Sequence, residues 1–241
     1  MAVCLGLQTR AHCVILATGV SWRRVVIDGF DRLIGKGICY GAARSEAAAT
    51  HGQDVYLIGA GNSAGQAALH FANDAQQVTL LVRGDSLEKS MSRYLIEQIA
   101  GKANIAVRLN CEVQAAQGEA HLEAIDIADR RQQTVTRHAC GGLFVFIGAD
   151  ADTGWLPEQV VRDKNGYVLT GDEVLKAGKW SKTGSNTRDP FLLESSVPGV
   201  FVCGDVRLSP IKRVAAAVGE GSMAIAFVHQ YLVQQEARPR A

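Results

Sequence analysis

The 241 residues carry 25 Lys and Arg against 24 Asp and Glu, a formal net charge of +1, and 47% of them are hydrophobic. That balance excludes a global field that gathers nucleic acid or anionic membrane, and the length suffices for one large domain or two small ones with real cores. No apolar run approaches the ~20 residues that span a bilayer, and the start M-A-V-C-L-G-L-Q-T-R turns polar too soon for a secretory signal, so a cytoplasmic location is expected.

The run H-C-V-I-L-A-T-G (12–19) is short, apolar and stopped by Thr-Gly, which predicts a buried strand ending in a tight turn. Residues 20–36 read as loop, and the alanine-rich stretch 42–49 as helix. A βαβ unit follows, with a strand over 55–58, a turn over 59–61, a helix over 62–75 and a second buried strand over 78–82. Ala64, Ala67, Ala68 and Phe71 share one face of that helix. Residues 93–100 read as another helix, stopped by Gly101, with Ser90 or Ser92 as N-cap. From Ile105 the period changes to two, and I-A-V-R-L-N-C-E-V, H-L-E-A-I-D-I-A and Q-T-V-T-R-H-A predict three antiparallel strands. L-F-V-F-I-G (143–148) reads as a buried strand, and K-N-G (164–166) as a hairpin tip in the polar stretch 150–190. The chain closes with V-P-G-V-F-V-C-G-D (197–205) and a helical segment from Lys212 to about Gln234.

The six cysteines, Cys4, Cys13, Cys39, Cys111, Cys140 and Cys203, form no C-x-x-C pair, and none stands at a zinc-ligand spacing from a histidine. No metal site is expected. Cys13, Cys111 and Cys203 lie in apolar strand-like runs, where a thiol packs as a small hydrophobe.

Residues 59–64, G-A-G-N-S-A, fit G-x-G-x-x-G/A between a strand and a helix. Gly59 permits the tight turn, Gly61 lets the backbone approach a pyrophosphate, and Ala64 lets the helix lie close to the strand. The helix N-terminus at Asn62 and Ser63 then offers its unpaired N–H groups to the anion. V-R-G-D (82–85) places Arg83 at the end of the second strand, where an NAD site carries an acid and an NADP site an arginine. NADPH is the expected nucleotide and NADH the alternative. Lys89 and Arg93 stand within reach of the same phosphate; the other reading makes these charges an ordinary solvated loop. In V-P-G-V-F-V-C-G-D, Gly204-Asp205 stands at the carboxyl end of a strand, where open α/β sheets bind ligands. The helix beginning near Lys212, Arg213 and Val214 offers N–H donors to an electron-rich ring.

In this order, A-T-G (17–19), G-A-G-N-S-A and V-P-G-V-F-V-C-G-D resemble the low-molecular-weight thioredoxin reductases, FAD/NAD(P)-dependent pyridine nucleotide-disulfide oxidoreductases. D-P-F-L-L-E-S-S-V-P-G-V-F (189–201) and I-K-R-V-A-A-A-V-G-E-G-S (211–222) are similar to a branch that lacks the C-x-x-C pair. The resemblance implies an α/β fold in which a Rossmann-like NAD(P)-binding domain, residues 25–146, is inserted into a partial FAD-binding domain of three-layer ββα type, residues 1–24 and 147–241. It implies that Thr18 and Gly19 lie at the FAD-side hinge. Gly59, Gly61, Asn62, Ser63 and Ala64 would hold the NADPH pyrophosphate, with Arg83 facing the 2′-phosphate. Gly204, Asp205, Arg213 and Val214 would border the flavin. A homodimer and an electron acceptor of unspecified kind are implied as partners.

Three departures qualify the resemblance. The family's C-x-x-C falls near residues 39–46, where this chain has Cys39 followed by Tyr40, Gly41 and Ala42. No residue is therefore assigned as catalytic, and Cys39 reads as a packing residue or relic. Further arginines of the family's 2′-phosphate signature are replaced by Gly84 and Glu88. The family's first FAD βαβ unit precedes A-T-G, whereas Ala17 stands near the start of this chain, so an N-terminally truncated fragment with half of the FAD site is expected. Two functions follow: an oxidoreductase passing hydride from NADPH to FAD and on to an acceptor, or a non-catalytic NAD(P)-binding remnant or regulatory module without flavin.

Overall fold

The computed structural model describes residues 10–41, 49–180, 188–208 and 212–237, so the helix expected over 42–49 lies, except for Ala49, outside the described residues. The chain divides into two units, Trp22–Gly148 on one side and Met1–Ser21 with Ala149–Ala241 on the other. In chain order the elements are β1 (Val14–Leu16), β2 (Ser21–Trp22), α1 (Phe30–Leu33), β3 (Ile38–Tyr40), β4 (Asp54–Ile58), α2 (Asn62–Phe71), β5 (Gln77–Val82), α3 (Arg93–Ala100) and β6 (Ile105–Leu109). There follow β7 (Cys111–Gln117), β8 (Ala124–Asp129), β9 (Thr134–Ala139), β10 (Gly142–Val145), β11 (Ala149–Asp150), α4 (Asp172–Lys176), β12 (Val200–Val202) and α5 (Val214–Glu236).

The unit Trp22–Gly148 is built in three layers. Its middle is a five-stranded sheet in the order β3-β10-β4-β5-β6, parallel throughout. Parallel strands are covered on both faces and read as continuous apolar runs, which is why Val78, Leu80, Leu81 and Val82 of β5 are all at most 1% exposed. One face carries α2 and α3, whose apolar stripes (Ala64, Ala67, Ala68 and Phe71; Leu95 and Ile99) pack with Val55, Leu57 and Phe144. The other carries the antiparallel sheet β7-β8-β9. Ile125 and Ile127 of β8 point inward, while Asp126 between them faces out and takes both Nε and a terminal nitrogen of Arg137 at 2.7 and 3.0 Å.

The α/β architecture is the expected one, with local corrections. The alternating run 105–113 is not one antiparallel strand. It breaks at Asn110, which adopts φ 57°, so Ile105–Leu109 joins the parallel sheet and Cys111–Gln117 opens the antiparallel one. Asparagine tolerates this left-handed geometry better than most residues. Residues 20–36 are not all loop, because Phe30 and Leu33, 1% and 0% exposed, anchor a single helical turn. The first strand is shorter and less buried than expected: Val14 is 44% exposed, and among the described residues β1 pairs only with β12.

In the other unit β1 and β12 run parallel, with Leu16 opposite Val202. Leu16, Val168, Val202 and Val206 form one small core, and Leu193, Cys203 and Ala224 of α5 another. Residues 163–167 make the expected tight tip: the Asp163 carboxylate accepts the N–H groups of Asn165 and Tyr167, and Gly166 takes φ 87°. The loop before β12 is fastened by Glu194, which is fully buried and accepts two nitrogens of Arg188 at 2.6 and 2.7 Å plus the N–H groups of Phe191 and Gly199.

Candidate functional site

Because the five parallel strands run the same way, their carboxyl ends share one edge, and the turn 59–61 leaves β4 there. The two glycines of this turn serve different ends. Gly59 has φ 149°, and a Cβ on it would stand 2.5 Å from the Phe146 carbonyl oxygen, so the fold itself requires glycine. Gly61 has φ −89° and ψ 178°, extended backbone open to any residue, and the nearest heavy atom to an added Cβ is the Ser90 carbonyl oxygen at 3.9 Å. Nothing in the described protein uses the space that Gly61 leaves open. The helix α2 begins directly after it with no side-chain cap, leaving first-turn N–H groups for an anion. Asn62 and Ser63 are on the surface there, and Ala64 is fully buried under the sheet. Gly65, which the motif does not include, brings α2 equally close to Met91: a Cβ on it would meet the Met91 sulfur at 2.9 Å.

Arg83 stands exposed at the end of β5 and makes no hydrogen bond or ion pair among the described residues. Lys89 and Arg93, expected to be available beside it, are instead paired along their own segments, Lys89 with Asp85 at 2.6 Å and Arg93 with Glu97 at 3.0 Å. The hydrogen bond from Lys89 holds the Asp85 carboxyl below its ordinary range. Neither expected N-cap closes α3 with its side chain. The Ser90 hydroxyl donates to the Ala60 carbonyl at 2.8 Å, and the Ser92 N–H donates to Asn62 Oδ1 at 2.7 Å, so both serines face the glycine-rich turn.

The second group of expected residues lies in the other unit. Thr18 and Gly19 (φ 67°) follow β1, and Gly204 (φ 74°) and Asp205 follow β12, all at the carboxyl ends of a parallel pair closed by the Cys203 N–H on the Leu16 carbonyl at 3.0 Å. Asp205 is half-buried, and its carboxylate accepts no hydrogen bond among the described residues. Lys212 holds the backbone around it, its ammonium donating to the carbonyls of Asp205 and Arg207 at 2.8 and 2.7 Å and lying 4.1 Å over the Tyr167 ring. Burial lowers the Lys212 pKa, partly opposed by the Asp205 charge. Gly204 brings no free donor, because its N–H is taken by Glu220 at 2.8 Å. Glu220 and Arg207, each 14% exposed, pair at 2.6 Å. Burial pushes the Glu220 carboxyl up, but the Arg207 guanidinium and the Gly204 amide outweigh it and hold the pKa below the usual range. Helix α5 starts uncapped at Arg213, and Val214 is 83% exposed. Glu220 escapes a reading of the sequence; its only signal there is a lone acid early in an otherwise apolar helix.

Cys39 lies half-buried in β3 opposite Phe144, packed on the helix side of the sheet. Cys140, by contrast, belongs to the core on the other face, where burial pushes its thiol up to about 12. Cys111 and Cys203 are buried, 2% and 4% exposed, as packing thiols, whereas Cys13 is only half-buried.

The sequence profile of the pyridine nucleotide-disulphide oxidoreductases matches residues 6–221. The chain belongs to this family. It is 28% identical over 222 residues to the thioredoxin reductase of Treponema pallidum (strain Nichols), covering 92% of this chain and 65% of that protein. It is also 28% identical to an NADH dehydrogenase of Ferdinandcohnia aciditolerans, over 95% of this chain and 40% of the relative. The chain thus spans just under two thirds of the first relative and less than half of the second. The crystal structure of thioredoxin reductase from Streptococcus pyogenes superposes with a TM-score of 0.69 at 26% identity, covering 91% of this chain and 65% of that one. The resemblance carried by the three motifs is therefore borne out at the level of family and fold.

Proposed function

We propose that this chain is the nucleotide-binding part of a thioredoxin reductase-like oxidoreductase, taking NADPH at Gly59–Ala64 and FAD at the Thr18–Gly19 and Gly204–Asp205 turns. The observation that carries the reading is the open space at Gly61 before an uncapped helix, at the carboxyl end of a central parallel strand. The first-turn amides of α2 receive the pyrophosphate, and Arg83 pairs with the 2′-phosphate. Asp205 accepts a ribityl or ribose hydroxyl, and the uncapped α5 N-terminus offers its N–H groups to the acceptor atoms of the flavin ring. The two cofactors, when bound, supply the hydride chemistry; the residues bind and orient them. The residues of this chain offer no C-x-x-C pair to pass electrons on.

Calorimetric titration of the parent and Arg83→Ala with both nucleotides tests the reading. Loss of a charge-assisted hydrogen bond of about 1.5–3 kcal/mol weakens NADPH roughly 10- to 150-fold and leaves NADH nearly unchanged. Equal affinities in the parent would sink the NADPH assignment and leave NADH, the nucleotide in the name of one relative. A second reading, a nucleotide-binding module without flavin, is favoured by the Gly204 N–H and Arg207 being already taken by Glu220. Stoichiometric flavin absorbance of the purified chain, bleached on addition of NADPH, supports the first reading and overturns the second.

A further inference from the structure

We propose that Asn62 and Ser90 form a latch that sets discrimination for the 2′-phosphate by holding the Arg83 segment against the pyrophosphate turn. The proposal rests on the reading of Gly59–Ala64 as the nucleotide turn. Residues 83–92 connect the end of β5 to α3, and they are pinned at both ends. At the near end the Gly84 carbonyl accepts the Asn110 N–H at 2.9 Å. At the far end, Leu87 and Met91, 7% and 4% exposed, are set into the helix-side core, with Met91 lying over Gly65.

Between these anchors, two side-chain bonds reach the turn. The Ser90 hydroxyl donates to the Ala60 carbonyl at 2.8 Å, and the Ser92 N–H donates to Asn62 Oδ1 at 2.7 Å. A backbone amide can only donate, so this second contact fixes which end of the Asn62 side chain faces it. Asn62 is thus turned toward the segment that carries Arg83. Both bonds lie at the surface, so neither is needed to fill the core. What they do is hold one segment at a fixed place relative to the other. A guanidinium pairs tightly with a phosphate only in a defined geometry, and a segment that must order on binding loses affinity for the group that depends on it. The pyrophosphate, common to both nucleotides, does not depend on Arg83, whereas the 2′-phosphate does.

A double-mutant cycle read by nucleotide titration tests the latch. Ser90→Ala, outside the nucleotide turn itself, is expected to weaken NADPH about five-fold, the worth of one ordinary net hydrogen bond, with NADH affinity nearly constant, and Asn62→Ala to weaken NADPH more than NADH. In an Arg83→Ala background Ser90→Ala loses its effect and Asn62→Ala loses its preference for NADPH, because both act through Arg83. Equal weakening of NADPH and NADH by Asn62→Ala would mean that Asn62 touches the shared pyrophosphate, and would overturn the latch. So would an undiminished effect in the Arg83→Ala background. A parent protein that binds neither nucleotide would instead overturn the nucleotide reading beneath it, and with it the latch.

Discussion

Alanine at Gly59 and alanine at Gly61 should do opposite things, although the glycines stand two residues apart in one motif. At Gly59 the backbone has φ 149°, a conformation that L side chains rarely adopt, and the new methyl would meet the Phe146 carbonyl oxygen at 2.5 Å. Backbone strain of this kind costs about 1–3 kcal/mol, and forcing a methyl into a filled space costs a similar ~1–3 kcal/mol. Gly59→Ala is therefore expected to lose on the order of 3 kcal/mol of unfolding free energy. At Gly61 the backbone is extended and an added Cβ makes only a 3.9 Å contact. The remaining cost is alanine's poorer fitness as an N-cap, about 0.5–2 kcal/mol in hosts whose caps are bonded and less where, as here, no side-chain bond is lost. Gly61→Ala should thus melt close to the parent while losing NADPH affinity, since the methyl occupies the space reserved for phosphate. Urea denaturation followed by circular dichroism measures the first quantity and calorimetric titration the second. A Gly59→Ala protein as stable as the parent, or a Gly61→Ala protein that binds NADPH as tightly as the parent, would refute the division of roles.

Glu194→Ala strands the Arg188 guanidinium and two backbone N–H groups in a buried site, and loss of one partner of such a pair costs about 3–5 kcal/mol; a loss under about 1 kcal/mol in urea denaturation would contradict it. Cys39→Ala is expected to leave nucleotide affinity intact, and no mixed disulfide should be trapped between Cys39 and a thioredoxin Cys→Ser variant, since the thiol is half-buried in β3 against the helix-side core. Burial, and then the Arg108 charge 3.0 Å from its Nε2, lower the His138 pKa below 6.5. The unfolded chain then binds the proton first as pH falls, so stability present above pH 6.5 is lost below it, and His138→Gln should flatten that slope in denaturation between about pH 5 and 7. The Cys140 thiol, raised from 9.0 to about 12, works in the other direction. Its contribution is complete below pH 9.0 and declines as pH rises toward 12, and alkylation of the native protein at pH 9.0 should spare it.

The βαβ unit around Gly59 is legible in the sequence because a buried strand, a glycine turn and a helical period follow one another without interruption. The boundary at Asn110 is not, because the alternation of 105–113 continues through it; which sheet each half joins is decided by pairing with β5 and β8, and β5 lies far away in sequence. The single turn Phe30–Leu33 is too short to display a period at all. The pairings that occupy Lys89 and Arg93 are written in their i,i+4 acids, Asp85 and Glu97, and a reading that weighs only the cations around a phosphate passes over them. Glu220 reaching Gly204 and Arg207 is a contact between a helix and the turn before it that no local pattern announces.

The strand order β3-β10-β4-β5-β6 also has a consequence for how the protein is made. The strand between β3 and β4 is β10, the last of the sheet to leave the ribosome, so until Val145 emerges the facing edges of β3 and β4 stand open. The antiparallel trio β7-β8-β9, whose partners are neighbours in sequence, can form before then, while the parallel sheet waits for β10. A nascent chain stalled between Ile58 and Ala139 therefore presents two apolar strand edges to its neighbours, the form most prone to joining another copy. Synthesis of this unit is safest when translation runs without pause through the antiparallel strands to Gly142–Val145.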